Sequence, residues 1–338
     1  MDRKSTFLRQ GIFLLAALFL IPACRKNEPQ NVVVLYCSVD QTAAEPVIAE
    51  FEKKSGIKVL VRFDSEATKT VGLVQKIRAE AGRPLADVFW SNEIFHTIRL
   101  NNEGLLVPFA SEQTQNWPGP ADANGCWYGF ALRARVIAYN NKKIKDSDAP
   151  KTLEQLLDAK WQGRIVMADP GFGTTGGDVA SWFAHYGETK AIEILKALAA
   201  NKVRLVEGNS TAVRMVAMGQ ADVCLTDTDD VYAAVRNGWP VAMNYLDVGG
   251  SGCLVIPNTA AIIKGAPHRL QAERLMDFLL SERCEEILVE SDSHNTPVHE
   301  GLAKKYPQYA IGKALKLDYA EIAGQLPAAI KQARNLLR

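Results

Sequence analysis

A short acidic run, Thr226-Asp227-Thr228-Asp229-Asp230, holds the residues best suited to bind a charged ligand. Two further acids, Asp40 and Glu93, also come just after predicted strands, where the side chains of an α/β fold meet at one edge of the sheet. Carboxylates that converge there repel one another and need a cation to neutralise them. Their hard oxygen atoms suit Fe(III), Mn(II), Ca(II) or Mg(II). They equally suit an organic cation such as a polyamine, for which Trp90, Trp127 and Tyr232 would supply aromatic faces.

Helix capping is the local alternative for these acids. Asp229 or Asp230 would cap a helix predicted over residues 231–236, because acids are favoured at helix N-termini. Asp40 and Glu93 would cap the helices that follow them in the same way. Both interpretations stay open from the residues alone.

A glycine-rich turn, Gly173-Thr174-Thr175-Gly176, precedes a predicted helix and could seat an anion on its free N–H groups. It lacks the Gly-Lys-Ser/Thr ending of a P-loop, and a plain strand-to-helix connection is the alternative. Asn209 and Ser210 begin another predicted helix, so they either contact the ligand or cap that helix. The sequence has no recognisable nucleophile–base pair and no HExxH spacing, so a hydrolase on the same scaffold is a remote alternative.

Alternating strand and helix patterns must position these residues. Three β-branched or apolar runs between residues 32 and 90 alternate with amphipathic helical patterns, which predicts a βαβαβ unit. The same alternation restarts between residues 165 and 225. We therefore predict an α/β protein of two lobes with a cleft between them. The extended apolar segments 126–140 and 250–263 are predicted to cross from one lobe to the other.

The N-terminus has the three parts of an export signal. A basic start precedes the 11-residue apolar run Gly11–Ile21, which is too short to span a membrane. Ile21-Pro22-Ala23-Cys24 then resembles the lipobox of bacterial lipoproteins, in which the cysteine carries lipid after cleavage. We expect residues 1–23 to be the signal peptide and residues 24–31 to be a lipid-bearing tether. An ordinary secretory peptide cut after Ala23 is the alternative.

The charge balance argues against a nucleic-acid partner. The whole chain has 39 basic and 38 acidic residues, and loss of the predicted signal peptide leaves a net charge near −1. A nucleic-acid-binding protein would instead present a strongly basic face. About 310 residues remain, which is enough for two hydrophobic cores. The remaining cysteines have no CxxC spacing, so no zinc ribbon is expected, although one disulfide could form.

Four stretches together resemble the ferric-ion-binding proteins within the periplasmic solute-binding family of ABC transporters. They are Val32–Val59, Ala86–Glu93, Gly208–Val223 and Gly250–Gly252 with the strand after it. The resemblance implies a two-lobed binding-protein fold of type II that closes on a ligand. It also implies that the ligand is delivered to an ABC permease of the inner membrane.

The resemblance also sets the expected domain boundaries. The first lobe would comprise residues 32–126 and 252–304, and the second lobe residues 127–251 and 305–338. We expect a monomer, anchored by lipid on the periplasmic or cell-surface side of a membrane.

The ferric relatives hold iron through a His, a Glu and an adjacent Tyr pair, with a small anion completing the shell. These positions fall on Asp40, Asn92 and the pair Asp229–Asp230 in this sequence, so the phenolates are absent. The anion-side positions match better, at Asn209 and the Gly173–Gly176 turn. The resemblance therefore implies a bound metal ion, with iron first and a synergistic anion beside it. An organic cation, or an oxyanion or phosphonate, is the alternative ligand.

Overall fold

The computed structural model describes residues 31–65 and 68–337. Cys24, the predicted signal peptide and most of the predicted tether lie outside these residues, so lipidation stays a prediction. Within the described ranges, no helix combines the length and the apolar composition that crossing a membrane requires.

Ten strands of the described residues form the sheet that organises the molecule. They are β1 (Val32–Cys37), β2 (Lys58–Phe63), β3 (Val88–Ser91), β4 (Leu106–Val107), β5 (Tyr128–Asn140), β6 (Ile165–Ala168), β7 (Arg204–Val206), β8 (Val223–Asp227), β9 (Val241–Tyr245) and β10 (Val255–Ile263). The strand order is β2-β1-β3-β10-β5-β8-β6-β7, with β4 beside β10 and β9 beside β5. Strands β1 to β3 are parallel, as are β6 to β8, whereas β5 and β10 run antiparallel to their neighbours.

Helices follow most of the strands and cover the sheet. They are α1 (Gln41–Ser55), α2 (Val71–Ala79), α3 (Phe95–Asn102), α4 (Leu153–Leu156), α5 (Gly173–Tyr186), α6 (Glu188–Ala200), α7 (Asn209–Ala217), α8 (Thr228–Arg236), α9 (Arg269–Leu279), α10 (Glu282–Glu290), α11 (Glu300–Lys305) and α12 (Tyr319–Leu337). The inner parallel strands β1, β3, β6 and β8 are nearly continuous in buried residues because helices cover both of their faces, whereas the edge strands β2 and β7 are partly exposed. The α/β prediction is therefore confirmed.

Strand β5 links two halves of the sheet. Over Tyr128–Ala134 it pairs with β10, and over Arg135–Asn140 it pairs with β8 and β9. We call β1 to β4 with β10 the first half, and β6 to β9 the second half. The predicted crossing segment 126–140 is thus β5, and the predicted segment 250–263 leads into β10.

The C-terminal helix α12 contacts elements that belong to both halves. It packs against α5 and α6, which follow β6, and against α3, which follows β3. One face of α12 is buried in these contacts, through Ile322, Ala323, Leu326, Ala329 and Ala333. The lobe boundaries inferred from the resemblance stay predictions.

Two helices begin earlier than the sequence pattern predicts. Helix α5 starts at Gly173, so the glycine-rich stretch forms its first turns and is not a loop. A side chain at Gly177 would collide with the ring of Phe95, so glycine allows α5 to lie against α3. Helix α8 starts at Thr228, which places Asp229 and Asp230 inside its first turn.

The cysteines of the described residues are free thiols. They are Cys37, Cys126, Cys224, Cys253 and Cys284. Burial raises the pKa of the Cys253 thiol to about 11, and it raises the pKa of the other four as well. The thiols therefore stay protonated at neutral pH. No disulfide links these five cysteines in the structure.

Candidate functional site

Four of the five predicted acids gather where strands of both halves end. Asp40 follows β1, Asp227 closes β8, and Asp229 and Asp230 follow in α8. They line a narrow cavity of about 20 Å³, which we call the central pocket. The carboxyl ends of parallel strands meet at one edge of a sheet, and this geometry brings the acids together.

Asp227 is fully engaged by donors from the protein itself. Its carboxylate accepts from Arg135 Nη1 at 2.7 Å, from Thr174 Oγ1 at 2.6 Å and from Asn209 Nδ2 at 3.1 Å. Arg133 Nη1 lies 3.4 Å away. Burial alone would raise the pKa of Asp227, but the charges of Arg135 and Arg133 outweigh it and lower the pKa. Asp227 is thus an ionised anchor with little capacity left for a ligand.

Two arginines of β5, Arg133 and Arg135, belong to the site but do not follow from the acidic pattern. Arg135 is completely buried, and its Nε lies 3.0 Å from Asp178 Oδ2 on α5. Burial raises the pKa of Asp178 in spite of this pairing. Two arginines at alternate positions of an apolar strand are the sequence pattern that could have indicated them. Buried charges require buried counter-ions, so this pattern predicts acidic partners nearby.

Asp229 and Asp230 have fewer partners than Asp227. Asp229 Oδ2 accepts from Arg133 Nη1 at 3.0 Å, and its buried Oδ1 has no hydrogen-bond partner among the described residues. Asp230 accepts from Thr226 Oγ1 at 2.9 Å. Burial, and then the charge of the neighbouring aspartates, raises the pKa of both carboxyls. Neither residue is the N-cap of α8, because that position belongs to Asp227.

Asp40 faces the central pocket from the first half. It stands at the N-cap position of α1 but makes no capping hydrogen bond with its side chain. Its carboxylate instead pairs with Lys69 Nζ at 2.5 Å, and this charge lowers the pKa of Asp40 although burial opposes it. The backbone carbonyl of Lys69 accepts from the N–H of Gly173, so here the two walls of the pocket touch.

The structure does not place Glu93 in the site. Its carboxylate accepts from the backbone N–H of Phe95 at 2.7 Å and of His96 at 3.1 Å, at the start of α3. Glu93 is fully buried and lines neither the central pocket nor the cavity beside it. The structure therefore contradicts the prediction that Glu93 binds the metal, because the Glu93 carboxylate caps the start of α3 instead.

Asn92 does line the central pocket, but its side-chain oxygen is already used. Asn92 Oδ1 accepts from Ser38 Oγ at 3.1 Å and from Thr70 Oγ1 at 2.6 Å. The backbone carbonyl of Asn92 accepts from Arg133 Nη2. Arg133 therefore connects the end of β3 with the first turn of α8.

The structure places only some of the predicted anion-binding residues at the central pocket. Gly173, Thr174, Thr175 and Asn209 line the central pocket. Thr175 Oγ1 donates to Asn209 Oδ1 at 3.2 Å. Gly176 does not line it, because this glycine lies against the carbonyl of Pro170. Ser210 does not line it either, and faces the neighbouring cavity.

A larger cavity of about 430 Å³ adjoins the central pocket, and we call it the side cavity. Asp40, Asp229 and Asp230 line both cavities and form the wall that they share. Beyond this wall the side cavity is bounded by α1, α7, α8 and the segment 291–293. The acids can therefore be reached from two sides.

Among the described residues, Phe172 is the only aromatic residue that lines the central pocket, and Trp239 is the only one that lines the side cavity. Trp90 and Trp127 are core residues, exposed by 0% and 7%. Tyr232 packs edge-on against the rings of His294 and Tyr309. Trp90, Trp127 and Tyr232 therefore do not form a cage for an organic cation.

Comparisons with known proteins agree with this geometry. A family model described as bacterial extracellular solute-binding protein matches residues 32–291. The iron uptake protein A1 of Synechocystis sp. is 28% identical over 286 residues, which is 81% of this chain and 77% of that protein. The major ferric iron-binding protein of Neisseria meningitidis serogroup B is 27% identical over 263 residues, 76% of this chain and 78% of that protein.

A solved structure is similar over almost its whole length. Iron-bound HitA from Pseudomonas aeruginosa superimposes with a TM-score of 0.79 and 28% sequence identity. The match covers 90% of this chain and 99% of HitA. The two-lobed binding-protein architecture predicted from the sequence is therefore confirmed.

Proposed function

The chain belongs to the family of bacterial extracellular solute-binding proteins, and from this premise we propose that it captures a metal cation, with ferric iron as the first candidate. The observation that carries the proposal is the pair Asp229 and Asp230, whose ligand oxygens lie within 4.8 Å of each other and of an oxygen of the already engaged Asp227. Carboxylate oxygen is a hard ligand that suits this ion. The relatives described above are named for iron.

The charges around the central pocket support a cation. In the part of the chain that the structure describes, its lining contains the acids Asp40, Glu207, Asp227, Asp229 and Asp230, and the bases Lys69 and Arg133. Lys69 is matched to Asp40, and Arg133 is shared between Asp227 and Asp229. Burial, and then repulsion from the neighbouring aspartates, raises the pKa values of Asp229 and Asp230 in spite of this pairing. A bound cation would remove that repulsion.

The proposal includes a cellular location and a partner protein. Export and lipidation at Cys24 would hold the protein outside the cytoplasm on a flexible tether. A monomer on such a tether would deliver its cargo to an ABC permease in the inner membrane. We propose binding and delivery as the whole activity, without catalysis.

Elemental analysis of the purified protein tests the cargo without any prior choice of ligand. Titration of metal-stripped protein with Fe(III), Mn(II) and Ca(II), followed by calorimetry and thermal shift, then ranks the cations. We expect iron to be recovered and Fe(III) to give the strongest response. The proposal fails if none of the three gives heat or a thermal shift.

Paired variants separate ligand binding from folding. Asp229→Ala with Asp230→Ala should weaken Fe(III) affinity by at least about 100-fold, since two oxygen ligands are lost, and should not lower the melting temperature of the ligand-free protein. Glu93→Ala should show the opposite pattern, with a loss of about 2 kcal/mol or more of stability, because two buried N–H groups lose their acceptor, and with unchanged affinity. If the double variant melts much earlier and binds normally, these two acids are structural.

A second candidate ligand is an organic solute with an anionic end, such as a phosphonate. The observation that favours it is the position of Lys69, Arg133 and the first turn of α5 beside the acids. The N–H groups at a helix N-terminus and two basic side chains would hold the anion. Titration with a phosphonate in chelator-treated buffer discriminates this candidate, because the metal proposal predicts no response there.

A further inference from the structure

The loop before α2 places the ammonium group of Lys69 at the central pocket. Lys69 Nζ lies 2.5 Å from Asp40 Oδ1, and the Lys69 side chain is only 18% exposed. Burial raises the pKa of Asp229 and of Asp230, and the positive charge of Lys69 opposes this rise in both residues. The proposed cation ligands therefore already have a cation of the protein itself beside them.

The backbone next to Lys69 is held in a strained conformation. Thr70 has a φ of 69° and a ψ of −51°, close to the rare and strained form of the γ-turn. A residue other than glycine keeps such a conformation only where its surroundings fix it. Thr70 is fully buried, and its Oγ1 donates to Asn92 Oδ1 at 2.6 Å. The carbonyl of Lys69 accepts from the N–H of Gly173 at 3.2 Å. The fold itself therefore fixes the backbone that directs Lys69 to the pocket.

The ammonium group of Lys69 can leave the pocket more easily than the guanidinium of Arg133. Arg133 is 5% exposed, its Nη1 lies 3.0 Å from Asp229 Oδ2, and its Nη2 donates to the carbonyl of Asn92. Contacts with two different elements fix this planar group in place. A lysine instead carries a compact charge on a flexible four-carbon stem. Rotation about the bonds of that stem moves the ammonium while the backbone stays where it is.

We propose that Lys69 is a specificity-determining residue, whose ammonium group occupies the place of the cargo in the ligand-free protein and is displaced when a metal ion binds. This inference rests on the metal-binding proposal above. A monovalent cation gains no more from the carboxylates than Lys69 does, and Lys69 has the advantage of being tethered to the site. A metal ion of charge two or three gains more, because electrostatic attraction grows with charge. Lys69 therefore excludes sodium and simple ammonium ions from the pocket.

Removal of the lysine charge should strengthen metal binding. Calorimetry on metal-stripped Lys69→Met protein is expected to show affinities for Mn(II), and for Fe(III) supplied as the nitrilotriacetate complex, about tenfold or more above those of the wild type. The two gains should be equal, because displacing the ammonium costs the same free energy whichever ion displaces it. A gain that is clearly larger for the trivalent ion would show that the ammonium stays and repels the metal, which overturns the displacement.

Two control variants accompany this titration. Lys69→Arg keeps the charge and should bind no better than the wild type. Lys143→Met removes a lysine that also pairs with an aspartate, Asp222, at 3.0 Å but lines neither cavity, so its affinity should be unchanged. Metal binding without a gain in Lys69→Met overturns the inference about Lys69 alone. No response of any variant to either ion overturns the metal proposal as well.

Chemical rescue tests the position of the ammonium without any metal. Lys69→Ala lacks three carbons and the nitrogen of the lysine side chain, which are the atoms of propylammonium. Added propylammonium should raise the melting temperature of this variant, whereas an equal concentration of sodium chloride should not. The wild type and Lys143→Ala should show no such rise. Failure of propylammonium to stabilise Lys69→Ala, or equal stabilisation of Lys143→Ala, would contradict the inference.

Discussion

Neighbouring carboxylates of the acidic run have different environments. Asp227 is held by two arginines and two neutral donors, whereas Asp229 has one arginine and Asp230 one threonine hydroxyl among their described hydrogen-bond partners. The pKa of Asp227 is lowered and those of the other two are raised. Asp227 therefore organises the site, and Asp229 with Asp230 are the residues available to a ligand.

Asp230→Asn should stabilise the ligand-free protein at neutral pH. Burial and the charge of Asp229 raise the pKa of Asp230 well above 3.8, so the folded state binds a proton more tightly than the unfolded state. The ionised carboxylate costs stability once the pH exceeds this raised pKa, and the amide removes that cost. We expect the melting temperature at pH 7.5 to rise by roughly 2 °C or more.

The same substitution should weaken the binding of Fe(III), although it stabilises the ligand-free protein. Asparagine keeps an acceptor for the hydroxyl of Thr226, but it lacks the charge that binds a cation. Thermal melts from pH 4 to 8 should show the stability gain shrinking as the pH falls below the raised pKa. A variant that is less stable than the wild type at pH 7.5 would contradict this account.

At the scale of elements, a β-bulge in strand β5 helps to position Arg133 in the site. Ala131 has a positive φ of 46°, and the register between β5 and β10 shifts opposite it. The N–H of Ala131 donates to Glu285 Oε1 at 2.7 Å, and its carbonyl accepts from Asn258 Nδ2 at 2.6 Å. These side chains take the place of ladder partners two residues before Arg133, so they hold the bulge from outside the strand.

Glu285→Ala should destabilise the protein and weaken ligand binding together. The Glu285 carboxylate also accepts from the backbone N–H groups of Val298 and His299, so alanine would leave three N–H groups without an acceptor. We expect a loss of about 3 kcal/mol or more in urea unfolding, because each unsatisfied buried donor costs about 1–3 kcal/mol. The affinity for Fe(III) should fall as Arg133 shifts.

Glu282→Ala is the matched control for this prediction. Glu282 lies on the same helix, α10, but is exposed. Its removal should change the free energy of unfolding by about 0.5 kcal/mol or less. Equal stability of the two variants would show that Glu285 does not hold the bulge.

At the scale of the whole molecule, closure of the two halves should accompany binding. In the described structure the walls touch, since the N–H of Gly173 donates to the carbonyl of Lys69 at 3.2 Å. Two-lobed binders commonly move as hinged bodies. We expect small-angle scattering to show a smaller radius of gyration with ferric citrate than without it. The Asp229→Ala, Asp230→Ala variant should show no change, and an unchanged wild-type radius would contradict ligand-driven closure.

The fold could be predicted because its strands are short apolar runs and its helices have regular amphipathic spacing. Four of the five acids could also be located, since each comes just after a predicted strand. Glu93 fits the same rule, yet its carboxylate turns back to cap α3, and a pattern of residue types does not show where a side chain points. Arg133 and Arg135 were missed because their partners lie far away in the chain.

The division of labour between β5 and α8 has a consequence for how such proteins diversify. Arg133 and Arg135 belong to a strand that both halves share, so replacing either would leave Asp227 or Asp178 buried without its counter-charge. Asp229 and Asp230 occupy a helix turn and carry no comparable structural duty. Ligand preference can therefore change through substitutions at positions 229 and 230 while the arginine network stays intact. New cargo would in this way require no rebuilding of the scaffold.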